Sequence, residues 1–488
     1  MAARDISETV TQTLAHAGQR VADAFTPSLR LGVTGLARSG KTVFITALIR
    51  NLTQGGRLPF FAPVAEGRLV GAHLDPQPDD HVPRFDYENH VRALSGEPPE
   101  WPESTRRISE VRVALAFHSA HPLRRALGLR RLNLDIVDYP GEWLLDLALL
   151  DQSYAAWSRA TMARARSPAV RADAQAWLAF AGGLDPAAPE DELMALEGAR
   201  LFTDFLRAAS GPSRVATLGP GRFLMPGDLE GSPLLTFFPL DLADDGADGA
   251  RPERGSLAAM MARRYDSYVA HVVRPFFRDH FSRLDRQIVL VDVLGALNGG
   301  AEALGELERT LASVLAAFRP GVASWLLSLF GGRRIDRLLF AATKADHIHH
   351  TSHDRLERLL GVLTARAAAR SIGAGAETRS MAIAALRATR EAEARDGRTL
   401  LPCIVGVPMP GETVGAERFD GRREVALFPG DLPEDPAVAL AGGATLGVTF
   451  PRFRPARLLP AQSSGETPAA PHVRLDRALD FLIGDWLQ

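Results

Sequence analysis

Leu29-Arg30-Leu31-Gly32-Val33-Thr34 runs directly into Gly35-Leu36-Ala37-Arg38-Ser39-Gly40-Lys41-Thr42, and a helical pattern follows over 43–53. The eight residues from Gly35 match G-x-x-x-x-G-K-[ST] in full, with a strand before them and a helix after. Glycines let backbone N–H groups wrap around phosphate oxygens. The helix starting near Lys41 turns its positive end toward the same anion. Lys41 supplies a point charge between two phosphates, and Thr42 offers a hydroxyl to Mg²⁺. The candidate phosphate contacts are therefore Gly35, Arg38, Ser39, Gly40, Lys41, Thr42 and Val43. Ala37 and Arg38 are unusual members of such a loop. Arg38 either reaches a phosphate as an internal cation or points to solvent, as arginine heads commonly do.

Downstream, Arg131-Leu-Asn-Leu-Asp-Ile-Val-Asp138 reads as a strand ending in a carboxylate, followed by Tyr139-Pro140-Gly141-Glu142. A carboxylate at the carboxyl end of a strand in an open α/β sheet lies beside the phosphate loop. Asp138 is the candidate metal ligand, the Gly141 N–H a candidate γ-phosphate contact, and Glu142 the candidate group on an attacking water. A hydroxyl that senses Mg²⁺ and phosphate should stand just before the strand at 107–117. Ser104 and Thr105 stand there, and Thr105 is the choice for both the metal and the catalytic set. A third run, Ile335 to Ala342, reads as a buried strand and leads into Thr343-Lys344-Ala345-Asp346. One carboxylate can accept two parallel hydrogen bonds from guanine N1–H and its 2-amino group, which adenine cannot give. Thr343, Lys344 and Asp346 are thus base-site candidates. A strand at 378–386 should bring a backbone N–H of Ala384, Ala385 or Leu386, with Ala385 chosen, to the base oxygen.

These strands alternate with helices, which predicts an α/β core with a mostly parallel sheet. The periodicity divides the chain into an N-terminal helix (1–28), the first part of the core (29–143), a mostly helical insertion (144–284), the second part of the core (285–398) and a β-rich C-terminal extension (399–488). Within the insertion, helices are expected at 144–166, 171–181, 189–210 and 256–284, the last kinked or broken at Pro275. Residues 55–104 show little periodicity and read as a long functional loop.

The wording of the motifs goes further. Ala37-Arg-Ser-Gly-Lys-Thr42, Trp101-Pro-x-Ser-Thr105, Asp138-Tyr-Pro-Gly-Glu-Trp143 and Phe340-Ala-Ala-Thr-Lys-Ala-Asp-His347 resemble the bacterial YcjX family over most of the chain. That resemblance implies a Ras-like P-loop NTPase core, GTP/GDP and Mg²⁺ as ligands, and a stress-associated role linked in some bacteria to the phage-shock envelope response. It also implies an unidentified protein effector or activator as partner. Glu142 stands where many small GTPases carry Gln, which leaves the water-activating step open. A GTP phosphohydrolase is the leading expectation, and a non-hydrolysing GTP/GDP scaffold remains beside it. A P-loop ATPase or kinase fits Thr343–Asp346 less well.

Composition sets outer limits. The chain has 488 residues and a formal net charge of −2, so no global charge attracts nucleic acid. One cysteine, Cys403, excludes an internal disulfide and suits a reducing compartment. No apolar run approaches the ~20 residues of a membrane span. The expected location is the cytoplasm, with peripheral contact at the inner membrane left open. Two features are read conservatively. His347, His349, His350 and His353 fit no tetrahedral metal template by spacing and read as a loop near a ribose or as solvated surface. The run Val322 to Phe330, like the N-terminal amphipathic helix, reads as a packed element rather than a membrane-dipping one.

Overall fold

The computed structural model describes residues 26–488 apart from 37, 104–106, 127, 169, 211–218, 243–251, 315–334, 374, 397–398, 442–446 and 459–469. The expectations for the N-terminal helix at 5–25, for Ser104 and Thr105, and for Val322–Phe330 lie outside the described residues.

The core is a seven-stranded sheet of β1 (Ser28–Gly35), β2 (Leu69–Asp75), β3 (Ser109–Phe117), β4 (Arg130–Asp138), β5 (Arg286–Val291), β6 (Arg337–Ala342) and β7 (Glu377–Ala382). Their order is β2-β3-β4-β1-β5-β6-β7. Among the described residues β3 alone runs against the others, pairing antiparallel with β2 and β4. The antiparallel pairing of β3 with β4 sets Ser109 opposite Asp138. Along β1 the parallel register puts Val33 beside Asp138 on one side and Ile288 on the other. The expected α/β architecture, with its mostly parallel sheet, helical insertion and β-rich C-terminal region, is therefore what the structure has.

Both faces of the sheet are buried, and alternate residues serve each, as the period of two requires. Ile288, Leu290, Leu339 and Ala341 face one core with Leu29, Leu31 and Val33. Val289, Val291, Leu338 and Phe340 face the other. The first face is covered by α1 (Lys41–Thr53). The second is covered by the insertion and by α-helices further along the chain.

Several local expectations changed. Residues 55–104 hold a short turn of helix at Ala62–Ala65, the edge strand β2 and helix α2 (Tyr87–Ser95). β2 carries Gly71 and His73 and exposes Val70, so it lacks the alternating apolar signal of a buried strand. The expected helix at 144–166 is instead a 3₁₀ segment, Gly141–Asp151, followed by α3 (Tyr154–Ala165). Ser153 starts the second by accepting a capping bond from the Ala156 N–H at 3.2 Å. The insertion continues through α4 (Gln175–Gly182), α5 (Glu192–Ala209) and α6 (Leu257–Tyr268). At Pro275 the helix does not end. A π-turn at Val269–Val273 carries α6 into α7 (Arg274–Asp279), a wider turn suited to a residue that lacks an N–H.

Past β5 come α8 (Val293–Asn298) and α9 (Gly300–Val314), and α10 (His353–Gly373) joins β6 to β7. β7 ends at Ala382, four residues earlier than the sequence pattern suggests, which frees 383–389 as a loop. The C-terminal region forms a three-stranded antiparallel sheet of β8 (Arg390–Asp396), β9 (Thr399–Gly406) and β12 (Val425–Leu427). Between them lies a small hairpin, β10 (Thr413–Val414) with β11 (Glu417–Arg418). The chain then returns to the first core face. There α11 (Leu475–Ile483) buries Leu475, Leu479 and Leu482 against the α1 side of the sheet. Arg286, at the start of β5, is buried and donates to Asp485 at 2.7 Å and to the Leu482 carbonyl at 3.1 Å. Among the described residues no helix is long and apolar enough to cross a membrane.

Candidate functional site

β1 delivers the chain to the top of the sheet at Gly35, and Gly40 turns it into α1 with φ of 89°. The first helical N–H groups have no earlier helical carbonyl to meet, so they are available to an anion. Lys41 is buried and its Nζ donates to the Gly35 carbonyl at 2.6 Å. Two further ammonium protons remain for a ligand. Arg38 has φ of 64° and an exposed side chain. The Thr42 hydroxyl meets the Glu103 carbonyl at 3.5 Å. The segment just before Ser104 and Thr105 therefore reaches the Thr42 side of the loop.

Asp138, at the end of β4, is 1 % exposed and lies in register beside Val33, two residues before Gly35. Gly141 follows and packs on the phosphate loop itself. A Cβ there would stand 1.9 Å from the Gly35 carbonyl oxygen, so no other residue fits. Gly221 of the insertion makes the same kind of approach from the opposite side, where a Cβ would stand 1.8 Å from the Glu142 carbonyl oxygen. The Gly141–Glu142 backbone is thus layered between the phosphate loop and the insertion.

Asp146 reinforces this layer. Its buried carboxylate accepts from the Gly221 N–H at 2.6 Å, the Arg222 N–H at 3.3 Å and the Tyr268 hydroxyl at 2.7 Å. Burial pushes its pKa up to about 6, against the lowering effect of those donors. The Arg222 guanidinium lies 3.1 Å from the centre of the Trp143 ring, a cation–π contact beside Glu142.

At the same carboxyl edge, two strands along from β1, Thr343-Lys344-Ala345-Asp346 leaves β6. Lys344 adopts φ of 61°, and its ammonium pairs with Asp292, which follows β5 and caps α8 through the Gly295 N–H at 2.9 Å. Asp346 is 4 % exposed. Its Oδ2 accepts from the Ala388 N–H at 2.6 Å and the Thr389 N–H at 3.3 Å, while the Thr389 hydroxyl donates to the Asp346 carbonyl. These bonds fix the carboxylate plane and direct Oδ1 away from the 388–389 backbone. Of the three backbone groups considered for the base oxygen, that of Ala384 is already bonded to the Val473 carbonyl at 3.0 Å, which leaves Ala385 and Leu386.

A cavity of about 570 Å³ joins the two loops. Arg38, Ser39, Gly40, Lys41, Thr42 and Val43 line one part of it, and Thr343, Lys344, Asp346 and Ala385 line the other. Gly35, Asp138, Gly141 and Glu142 lie outside its lining. Its remaining wall was not foreseen. Trp101, Asn298, Met409, Glu412, Phe450 and Phe453 contribute, most of them from the C-terminal region. The Trp101 indole donates to the Phe453 carbonyl at 2.7 Å. Asn298 makes a reciprocal pair with the Phe450 backbone, at 2.7 and 3.0 Å. The buried His347 ring meets the Phe453 ring edge-on at 5.1 Å, and burial lowers its pKa. Of the missed residues Asp292 had a signal, since it ends an apolar strand as Asp138 does. The C-terminal wall comes from irregular segments without a pattern.

The profile of the YcjX-like family, DUF463, matches residues 29–487. A protein of Escherichia coli K12 named "Ras-like GTPase YcjX" is 38 % identical over 469 residues, covering 94 % of this chain and 96 % of that one. A Shewanella oneidensis protein of the same name is 35 % identical over 505 residues, covering 98 % and 97 %. Matches of this extent, joined to a sheet with the motif residues at its carboxyl edge, establish that the chain belongs to the YcjX-like family.

Proposed function

We propose that this chain binds GTP and hydrolyses it slowly, with Mg²⁺, to GDP and phosphate. The carrying observation is that one cavity holds the Arg38–Val43 part of the phosphate loop at one end and the oriented carboxylate of Asp346 at the other. The names of the two relatives, each a Ras-like GTPase, support the same reading. In this reading Asp346 Oδ1 faces the guanine edge, Lys344 lies along the base, and Ala385 N–H meets the base oxygen. Lys41 and the N–H groups of Gly40 to Val43 hold the phosphates, the Ser39 N–H being donated to the Leu36 carbonyl at 3.1 Å.

Thr42 and Asp138 offer a buried hydroxyl and a buried carboxylate, the oxygen donor set that a hard divalent cation takes. They are the residues we assign to Mg²⁺, with Thr105 as the third. When bound, Mg²⁺ neutralises phosphate charge and favours the departing diphosphate. The chain supplies the rest. The Gly141 N–H meets the γ-phosphate, Glu142 orients the attacking water, and Arg38 adds charge from within the loop. Because Glu142 lies outside the cavity lining while its backbone is gripped, hydrolysis requires its side chain to turn toward the phosphates. The same observation favours a second reading, in which the chain holds GTP or GDP and turns over negligibly. The family resemblance extends the proposal to a cytoplasmic switch in a bacterial stress response, read by a protein effector or activator.

Competition among GTP, GDP and ATP for the purified chain, with phosphate release followed with and without Mg²⁺, tests it. Preference for guanine nucleotides and Mg²⁺-dependent release support the GTPase. Guanine preference without release supports the binding module. Equal affinity for ATP overturns both.

A further inference from the structure

His349, His350 and Glu391 meet in space although forty residues separate the histidines from the carboxylate. Among the described residues they are the one group of three His, Cys, Asp or Glu side chains whose ligand atoms all lie within 4.8 Å of one another. His350 Nδ1 stands 2.8 Å and His349 Nε2 3.9 Å from the same oxygen, Glu391 Oε2. The two imidazoles lie side by side, with centroids 4.2 Å apart. We propose that these three side chains form a Zn²⁺ site.

The separations suit the ion. Tetrahedral ligands about 2.0–2.1 Å from zinc lie roughly 3.3 Å from one another. The distances of 2.8 and 3.9 Å straddle that value, so small rotations of the exposed His350 and half-exposed Glu391 side chains toward the buried His349 complete the site. The outer contacts are also in place. A zinc-bound histidine commonly donates its other ring N–H to an oxygen, which fixes its tautomer. His349 Nδ1 lies 3.1 Å from the Thr351 hydroxyl and accepts the Thr351 N–H at 3.5 Å, a long bond that it gives up to donate to the hydroxyl when Nε2 holds the ion. Glu391 is held through its other oxygen, Oε1, which accepts the His350 N–H at 3.2 Å. Arg387 approaches that same Oε1 at 4.0 Å and leaves Oε2 to the ion. The His350 side chain is 62 % exposed, so water takes the fourth position and zinc enters from solvent. On binding, the ion replaces the Nδ1 proton that His350 shares with Glu391.

The placement gives the ion a task. The histidines follow closely on Thr343–Asp346, and Glu391 is the second residue of β8, two residues after Thr389. The Ala388 and Thr389 N–H groups are those that orient Asp346. Zinc would brace the two segments that meet at Asp346.

The test uses the full chain without nucleotide, so that its outcome is independent of the proposed GTP chemistry. Co²⁺ alone is titrated and its visible absorption read, then displaced with Zn²⁺. We expect one saturable, low-coordinate Co²⁺ spectrum per chain. His350→Gln and Glu391→Gln alter exposed or half-exposed side chains. Each should weaken the site by more than the roughly tenfold to hundredfold that an outer-contact change costs. Hydrogen exchange at Ala388 and Thr389 should slow by about a hundredfold in Zn²⁺ at about a hundred times its Kd, and remain unchanged in Glu391→Gln. A missing spectrum, or one unaltered in both variants, overturns the site. Unprotected amides at 388 and 389 in zinc-loaded protein overturn the brace.

Discussion

Tyr268 donates its hydroxyl proton to Asp146 at 2.7 Å, joining the last turn of α6 to the 3₁₀ segment that begins at Gly141. A carboxylate so placed has a pH signature. Asp146 rises from 3.8 to about 6 on folding because burial disfavours its charged form. Its contribution is complete below about pH 4 and is lost as pH climbs through 6, by about 3 kcal/mol in total. Asp146→Asn removes the titration, and its single amide oxygen keeps an acceptor for either the Gly221 N–H or the Arg222–Tyr268 side, not both. Urea unfolding at pH 4, 6 and 8 should show the variant gaining on the parent by up to about 3 kcal/mol as pH rises. Parallel curves would assign the dependence elsewhere. Glu110 is the next candidate, since burial beside Arg30 lifts it to about 6 as well.

Lys41→Ala removes the buried ammonium that sits on the Gly35 carbonyl. Tight GTP binding should disappear while far-ultraviolet circular dichroism stays as in the parent. Calorimetry that finds the parental affinity would remove Lys41 from the phosphate site.

Glu142→Ala should leave GTP affinity intact and slow turnover by about tenfold to a thousandfold, the span for a positioning or acid–base group. The backbone here is gripped between Gly35 and Gly221, so the substitution changes the side chain and not the layer. Single-turnover phosphate release measures it. A parental rate transfers the water-activating role, with Arg38 next to be examined.

Asp346→Asn has a defined outcome because one oxygen is already engaged. The amide oxygen must face the Ala388 and Thr389 N–H groups, which leaves the NH₂ facing the base. Guanine then meets donor against donor, whereas the 2-carbonyl of xanthine accepts. The variant should weaken for GTP and gain relative preference for xanthosine triphosphate, with ATP poor for both proteins. A competition assay that returns an unchanged order of the three triphosphates removes Asp346 from base recognition.

The residues that the sequence made legible are those whose chemistry is local. The Gly35–Thr42 loop, the carboxylate ending β4 and Thr343–Asp346 each stand on a few contiguous residues beside an apolar strand, and the structure sets them along one sheet edge. β2 escaped notice because an exposed edge strand needs no apolar alternation. The 3₁₀ start at Gly141 was hidden because Leu144, Leu145, Leu147 and Leu149 are buried without helical spacing. Phe450 and Phe453 could not be foreseen at the cavity, since they lie in an irregular segment brought there by Asn298 and Trp101. The Gly141 and Gly221 approaches involve backbone atoms far apart in sequence, and glycine identity alone does not announce a neighbour.

The return of α11 to the α1 face has a consequence for how the molecule is made. Leu29, Leu31 and Val33 leave the ribosome long before Leu479, Leu482 and Ile483, which share their core. At bacterial synthesis speeds the interval is on the order of tens of seconds. Throughout it the nascent sheet exposes an apolar face, and the cavity lacks the wall that Phe450 and Phe453 supply. Messages cut short before these codons should yield chains that carry every recognisable motif and still present a sticky surface to chaperones and proteases.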